Sequence, residues 1–200
     1  MLSSLPLIED AIRRGEERLT EKLGEPVTIG FRTYINDRII EQITDIDHEK
    51  FRSELWYTKE ELLAKSSKKD FVCLIAHANG EPVAFLYGYD DEFDPHWFFL
   101  DEIASRVEGK GVGKVLLVLL LLYCFELDYK FITLYTEDLD EKGRKLREFY
   151  EHLGFTYMGT EPELGVIMKY DIDEPELLKL YNRVMYSEGG PHPPYLASNS

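Results

Sequence analysis

The chain has 200 residues, of which 44% are hydrophobic and 30% charged, a composition typical of a globular protein with one sizeable core. Its formal net charge of −15 disfavours binding to nucleic acid through a basic surface. The longest apolar run has eleven residues, whereas a membrane-spanning helix needs about 20. The N-terminus lacks the pattern of a secretory signal.

The two cysteines indicate the redox environment. Cys73 and Cys124 both lie inside apolar runs, which predicts buried free thiols rather than a disulfide framework. We therefore expect a cytoplasmic protein that binds neither nucleic acid nor a membrane.

The first part of the chain predicts three helices and one strand. Apolar residues recur at helical spacing from Ile8 to Leu23, and Gly24 ends that helix. The segment "VTIGFRTYI" is rich in β-branched and aromatic residues and predicts a strand. Asn36 then caps a second helix, and Thr58 with Glu61 forms the capping box of a third.

The middle and end of the chain alternate between strands and helices. "FVCLIAHA" and "VAFLYGY" predict a hairpin that turns at Asn79-Gly80, followed by the strand "HWFFLDEIA". After a glycine-rich turn and a long apolar helix come the strand "KFITLYT", the helix "RKLREFYEHL" that stops at Gly154, the strands "FTYMG" and "GVIMKYDI", and the helix "EPELLKLYNRVMY".

These elements predict a single mixed α/β or α+β domain. We divide the chain into an N-terminal helical extension (residues 1–26), one domain (27–186) and a tail (187–200) whose glycine, proline and serine content predicts disorder.

The segment "SRVEGKGVGKVLL" leads from the third strand of this series into the apolar helix. Main-chain amides from Gly109 to Lys114 at a helix N-terminus favour anionic oxygen, and Lys110 and Lys114 add positive charge. The nucleotide-triphosphate loop does not fit, because Glu108 and Val115 stand where glycine and a hydroxyl are needed. The dinucleotide fingerprint fails at Lys114. The pattern that remains is [QR]-x-x-G-x-[GA], with its glycines at Gly111 and Gly113.

With this turn and the later "REFYEHLGF", the chain resembles the GCN5-related N-acetyltransferase superfamily from about Thr28 to Ile172. The resemblance implies a mixed, mostly antiparallel sheet of six to seven strands with flanking helices, splayed between the fourth and fifth strands. Two positions depart from the family pattern: Glu108 replaces arginine or glutamine, and Gly143 replaces asparagine. Arg106, Lys110 and Lys114 are expected to offset the charge of Glu108.

The resemblance also implies acetyl-CoA as co-substrate, no metal, and direct transfer of acetyl to a primary amine. Tyr150 is the candidate proton donor to the leaving thiolate, and it borders the inward face of its helix. The residues expected to bind the cofactor are Ile103, Ala104, Ser105, Glu108, Gly109, Lys110, Gly111, Val112, Gly113, Lys114 and Tyr150.

The general base is less determined by the residues. Glu102 lies on the cofactor-binding strand with Asp101 expected on the opposite face, and Glu137 follows the next strand. We take Glu102 first and Glu137 second. His77, His96 and His152 show no metal-ligand spacing. Trp97 or Tyr89 is an alternative lining of the acceptor pocket, where it would make a cation–π contact with an ammonium.

Several alternatives stay open. The acceptor is a small polyamine-like or amino-acid-like amine, or a protein lysine or N-terminus, and the protein is a monomer or homodimer. Glu108 and Gly143 keep a non-catalytic acyl-CoA sensor as the rival function, and a scaffold that binds no coenzyme A as a third.

Overall fold

A computed structural model describes residues 3–140 and 142–186. The predicted tail at 187–200 lies outside the described residues. The helices are α1 (Ile8–Leu23), α2 (Asp37–Lys50), α3 (Lys59–Ser66), α4 (Val112–Glu126), α5 (Leu146–His152) and α6 (Glu174–Met185), with a short 3-10 helix at Ser53–Leu55. The strands are β1 (Val27–Arg32), β2 (Val72–Ala78), β3 (Glu81–Asp90), β4 (Trp97–Ser105), β5 (Phe131–Thr136), β6 (Thr156–Glu161) and β7 (Gly165–Asp171).

The seven strands form one sheet in the order β1-β2-β3-β4-β5-β7-β6. Every neighbouring pair is antiparallel except β4 and β5, which are parallel. The predicted mixed, mostly antiparallel sheet with flanking helices is therefore confirmed.

The parallel pair is short. β4 and β5 share only the three pairs from Trp97–Phe131 to Phe99–Thr133, after which the two strands diverge. β4 continues to pair with β3 as far as Ser105, and β5 continues to pair with β7. The sheet thus splays open between its fourth and fifth strands, as expected, and a cleft begins beyond Phe99.

Two layers of helices cover the sheet. α4 lies in the centre of one face between α1 and α6, and ten of its 15 residues are buried, which explains why it is apolar all round. α2 and α3 cover the opposite face. Residues of β3 alternate between the two cores: Ala84 and Leu86 face α4, whereas Phe85 and Tyr87 face α2.

The local signals in the sequence correspond to real contacts. The Asn36 side chain accepts a hydrogen bond from Ile39 N, Thr58 and Glu61 form a capping box, and Asn79-Gly80 makes the hairpin turn with both φ angles positive. Both cysteines are buried and free. Across the described ranges, no helix has the length and apolar content that a bilayer crossing requires.

Two boundaries differ from the prediction. The strand expected over residues 27–35 ends at Arg32, and the helix expected from residue 144 begins at Leu146. The later start follows from an isolated bridge between Leu139 and Lys145 and from the Asp140 carboxylate, which accepts hydrogen bonds from the backbone of the loop that follows it. The domain division stays a prediction, although α1 packs directly on α4 and β1.

Candidate active site

The glycine-rich turn ends on an uncapped helix. Gly109 and Gly111 have φ angles of +72° and +81°, which glycine adopts without strain, and no atom approaches within 4 Å of where a Cβ would stand on either. Gly111 is the N-cap of α4 and makes no side-chain capping bond, and the first turn carries no acidic residue. The first amides of α4 therefore lack an anionic or side-chain partner, which makes this helix end suited to an anion.

A cavity of about 440 Å³ opens at this helix end. Its lining brings together four segments: α1, the turn with the start of α4, the end of α5, and α6. The basic and histidine residues that line it are Arg18, Lys22, Lys110, Lys114, His152 and Arg183. No aspartate or glutamate lines the cavity within the described part of the chain, although the sequence has 38 acidic residues against 23 lysines and arginines. The cavity is thus a local basic site on an acidic protein.

The Glu108 carboxylate is paired with lysine and arginine residues from outside the glycine-rich turn. Lys142 donates to both of its carboxylate oxygens at 2.8 and 3.0 Å, and Arg144 donates at 3.0 Å. These cations lower the pKa of Glu108 below its ordinary value, and Lys50 lies 3.5 Å away. Arg106, which we expected to offset Glu108, instead binds Glu49 at 2.6 Å. The neutralising cations therefore come from the loop after β5 and the end of α2.

Beyond the divergence of β5, one side of β4 has no strand partner among the described residues. Ile103, Ala104 and Ser105 lie on this segment. Ile103 packs towards α4, Ala104 faces the α2 core, and the Ser105 hydroxyl donates to Val107 O at 2.9 Å. An unpaired strand edge offers main-chain donors and acceptors to an extended ligand.

A β-bulge separates β4 into two parts. Tyr87 pairs with Glu102 but Gly88 pairs with Leu100, so Asp101 is the extra residue. The expectation that Asp101 and Glu102 point to opposite faces is wrong, because the bulge turns both side chains towards α2 and α3. Glu102 accepts a hydrogen bond from Tyr87 Oη at 2.5 Å, and Asp101 accepts one from Tyr89 Oη at 2.5 Å.

Glu102 shares its environment with a second carboxyl group. Asp47 of α2 is 4% exposed, and its Oδ1 has no hydrogen-bond partner among the described residues. Burial and the neighbouring Asp47 raise the pKa of Glu102 to about 9, and burial raises the pKa of Asp47. Two adjacent buried carboxyl groups cannot both ionise cheaply, so we expect the pair to retain one proton at neutral pH.

Tyr150 is the buried residue of α5. Its ring packs edge-on against Phe149 and Phe155, with centroids 5.1 and 5.5 Å away. Burial alone raises the pKa of its phenol, and the hydroxyl makes no hydrogen bond to another described residue. It is a protonated donor without an internal acceptor.

Glu137 differs from Glu102 in its surroundings. It lies just after β5, its side chain is half exposed, and Arg52 pairs with it at 2.5 Å. The structure does not bring it into the buried carboxyl cluster.

The histidines and Trp97 lie apart from that cluster. His77 hydrogen-bonds Gln42, and His152 lines the basic cavity. Trp97 packs on Phe131 at the start of β4, whereas Tyr89 lies in the cluster. Within the described residues, no group of three or more His, Cys, Asp and Glu side chains converges as a metal site.

The sequence reasoning missed several residues of this site. Arg18, Lys22 and Arg183 lie on surface helices far from the turn in sequence, and Asp47 sits one position after a run of helix-face isoleucines. No local sequence pattern indicates that the three cations line a common cavity. For Asp47, the available sign of burial was its position next to the buried isoleucine face of α2.

Comparison with known proteins identifies the family to which this chain belongs. The sequence profile of the Acetyltransferase (GNAT) family matches residues 38–155, more than half of the chain. The chain belongs to the GNAT family of acetyltransferases. A comparison with curated proteins returned no match.

Solved structures share the GNAT fold. The PaiA N-acetyltransferase from Thermoplasma acidophilum, solved with coenzyme A, gives a TM-score of 0.59 at 19% identity, covering 72% of this chain and 99% of that chain. The aminoglycoside 6'-N-acetyltransferase from Enterococcus faecium gives 0.61 at 16% identity, covering 72% and 97%. The ribosomal-protein-S18-alanine N-acetyltransferase from Escherichia coli gives 0.56 at 16% identity, covering 74% and 94%. At such identities the likeness shows the shared fold.

Proposed function

We propose that this GNAT protein is an N-acetyltransferase that moves the acetyl group of acetyl-CoA directly to a primary amine. The observation that carries the proposal is the uncapped N-terminus of α4, which opens into a cavity lined by cations and lies next to an unpaired strand edge. A diphosphate followed by an extended amide-containing arm requires these two features in this order.

The proposed assignments follow the geometry. The amides of the turn and of α4 hold the diphosphate, the surrounding cations neutralise the phosphates, and the free edge of β4 pairs with the arm. The residues assigned to cofactor binding are Ile103, Ala104, Ser105, Gly109, Lys110, Gly111, Val112, Gly113 and Lys114, joined by Arg18, Lys22 and Arg183 from the cavity. Glu108 acts through Lys142 and Arg144, which it holds beside the turn.

Acetyl-CoA supplies the activated thioester when bound. Tyr150 then donates its proton to the departing sulfur, since its hydroxyl is protonated and has no internal acceptor. The Glu102–Asp47 pair holds one proton and one negative charge, and this remaining carboxylate is the proposed acceptor of the proton that the attacking amine loses. Glu137 is the weaker candidate because Arg52 neutralises it.

Direct transfer agrees with the state of the thiols. Burial raises the pKa of Cys73 to about 12 and that of Cys124 well above its ordinary value, so neither cysteine supplies a thiolate.

Calorimetric titration with acetyl-CoA tests binding, and mass spectrometry of products from polyamines, amino acids, aminoglycosides and peptides tests transfer. Lys114→Ala should weaken acetyl-CoA binding by about tenfold, the equivalent of one charge-assisted contact. Lys59→Ala is the matched control, since Lys59 is paired with Asp37 on the other side of the sheet. Acetyl-CoA binding without any acetylated product would favour the non-catalytic acyl-CoA sensor. Failure to bind acetyl-CoA would refute the proposed function.

A further inference from the structure

An ammonium group already sits in the cluster beside the bulge. Lys65, in the last turn of α3, places its Nζ 2.5 Å from Asp101 Oδ2 and 3.4 Å from Tyr89 Oη. The same atom lies 4.1 Å from the centroid of the Tyr57 ring and 5.8 Å from that of Tyr89. A primary ammonium is thus held by one carboxylate and two aromatic rings, which is a cation-binding arrangement.

Asp101 is fully engaged in this arrangement. Its side chain is 4% exposed, and it accepts hydrogen bonds from Tyr57 at 3.2 Å and from Tyr89 at 2.5 Å as well as from Lys65. Burial and the carboxylate raise the pKa of both phenols, which keeps them as donors. Both phenols and the carboxylate are therefore fixed in the orientation that an ammonium needs.

The position of this group matters because Asp101 is the bulge residue. It follows the last β4–β5 pair at Phe99 by two positions, so it stands at the head of the cleft. If the free edge of β4 holds the cofactor arm, as proposed above, the amine that reacts must approach this part of β4.

The surrounding charge favours a cation. Asp47, Asp101 and Glu102 are three carboxyl groups on this face, and Glu102 is affected by the charge of both neighbours. Lys65 is the only Lys or Arg in the described residues that forms an ion pair with any of the three. With one proton held between Asp47 and Glu102, the three carboxyl groups carry two negative charges, of which Lys65 pairs with one.

We propose that Tyr57, Tyr89 and Asp101 form the subsite for the primary alkylammonium group of the acceptor, and that Lys65 occupies this subsite until the acceptor displaces it. The inference deepens the proposed function and rests on it. Lys65 defines the ligand chemistry, a primary ammonium on an unbranched alkyl stem, as found in alkyl diamines and lysine side chains. Its own side chain is 18% exposed, so it can leave towards solvent.

Amine rescue of Lys65→Ala tests the subsite without any turnover. n-Propylammonium replaces the atoms that this substitution removes. At a concentration about ten times its Kd it should raise the Tm of Lys65→Ala by about 3 °C and leave that of the wild type unchanged. Lys65→Ser, which opens the same space with a polar side chain, serves if Lys65→Ala does not fold.

Two matched controls separate the subsite from a general effect of amines. Lys68 lies 4.5 Å from the ring centroid of Tyr89 but pairs with Glu92 rather than with Asp101, so Lys68→Ala should show no rescue. The double variant Lys65→Ala/Asp101→Asn should show none either, because the carboxylate is gone. Equal shifts in Lys65→Ala and in either control would overturn the proposal.

A kinetic measurement connects the subsite to the acceptor. With acetyl-CoA present, Lys65→Ala should acetylate n-butylamine with a kcat/KM about tenfold above the wild type, since the internal competitor is absent. An unchanged or lower kcat/KM in a variant that shows rescue refutes displacement of Lys65 by the acceptor. Rescue in a protein that neither binds acetyl-CoA nor forms an amide would instead refute the proposed function and leave the ammonium site standing.

Discussion

The Tyr150 hydroxyl has no acceptor of its own among the described residues, and this sets the first prediction. Tyr150→Phe should lower kcat by about a hundredfold, the contribution of a positioned proton donor. It should leave the Tm unchanged, because no hydrogen bond of the folded protein is lost. Thiol release and thermal unfolding measure the two effects.

Tyr170→Phe is the control for that change. Tyr170 is also buried and packs on Phe155, with ring centroids 5.2 Å apart. A loss of turnover as large in Tyr170→Phe as in Tyr150→Phe would mean that the phenol of Tyr150 acts only through packing.

The carboxyl pair predicts a dependence of stability on pH. The folded pKa of Glu102 is about 9 and its ordinary value is 4.5, so the folded state binds the extra proton. The stabilisation is fully present below the ordinary pKa and is lost as the pH rises towards 9. Wild-type stability should therefore fall over this range relative to Glu102→Gln, whose amide donates permanently to Asp47.

Urea unfolding at several pH values measures this difference. Glu137→Gln, at the exposed pair with Arg52, is the control and should follow the wild-type curve. Parallel curves for the wild type and Glu102→Gln would rule out a shared buried proton.

The proposed role of the carboxyl pair as general base predicts that Glu102→Gln lowers kcat about a hundredfold, whereas Glu137→Gln leaves it unchanged.

At the level of residues, the sequence was informative where a motif surrounds the side chain. Tyr150 stands out through "REFYEHLGF", and the turn through its glycines. The contacts of Glu108 were not predictable, because Lys142 and Arg144 reach it only through the loop after β5. Asp47 could not be predicted as a site residue, because its role depends on its proximity to Glu102, which lies on β4.

Among the elements, the bulge of β4 depends on a glycine on the neighbouring strand. A Cβ on Gly88 would stand 2.4 Å from Phe99 O and 2.6 Å from Phe98 Cε1. Gly88→Ala should therefore destabilise the protein by about 3 kcal/mol and displace Asp101. Gly113→Ala is the control, since its Cβ would meet only Ile103 Cδ1 at 3.8 Å and alanine favours the helix, so its unfolding midpoint in urea should not fall below that of the wild type. A Gly88→Ala protein as stable as the wild type would show that β3 and β4 can move apart at this position without loss of folding free energy.

Most elements could be predicted because their signals are local. Caps, helical periodicity and the Asn79-Gly80 turn depend on residues within a few positions of one another. The bulge could not, since a period of two along "HWFFLDEIA" places Asp101 and Glu102 on opposite faces. Only the pairing with β3, where Gly88 permits the close approach, adds the extra residue.

For the molecule as a whole, the acidic surface and the basic cavity predict that salt raises both rate constants of coenzyme A binding, for different reasons. The net charge of −15 repels a polyanion at long range, and this repulsion is screened beyond about 10 Å at 0.1 M salt. The association rate constant should therefore rise about twofold from low to physiological ionic strength. The dissociation rate constant should also rise, because salt weakens the contacts within the cavity. Stopped-flow measurements separate the two, and an association rate that falls with salt would contradict the prediction.

The basic cavity also marks the limit of prediction at this scale. Arg18, Lys22 and Arg183 come from helices at the two ends of the chain, and they meet only because α1 and α6 both pack on α4. The apolar run of α4 predicts a central buried helix, but it does not say which surface helices border its N-terminus.

The three-pair contact between β4 and β5 has a consequence for the protein's behaviour in concentrated solution. From Leu100 to Ser105 one side of β4 carries main-chain groups that would complete a ladder with any extended peptide. If the cofactor arm binds along this edge, as we propose, it also shields the edge from other chains while it is bound. Preparations without ligand should self-associate through the cleft, and coenzyme A should act on them as a solubilising agent.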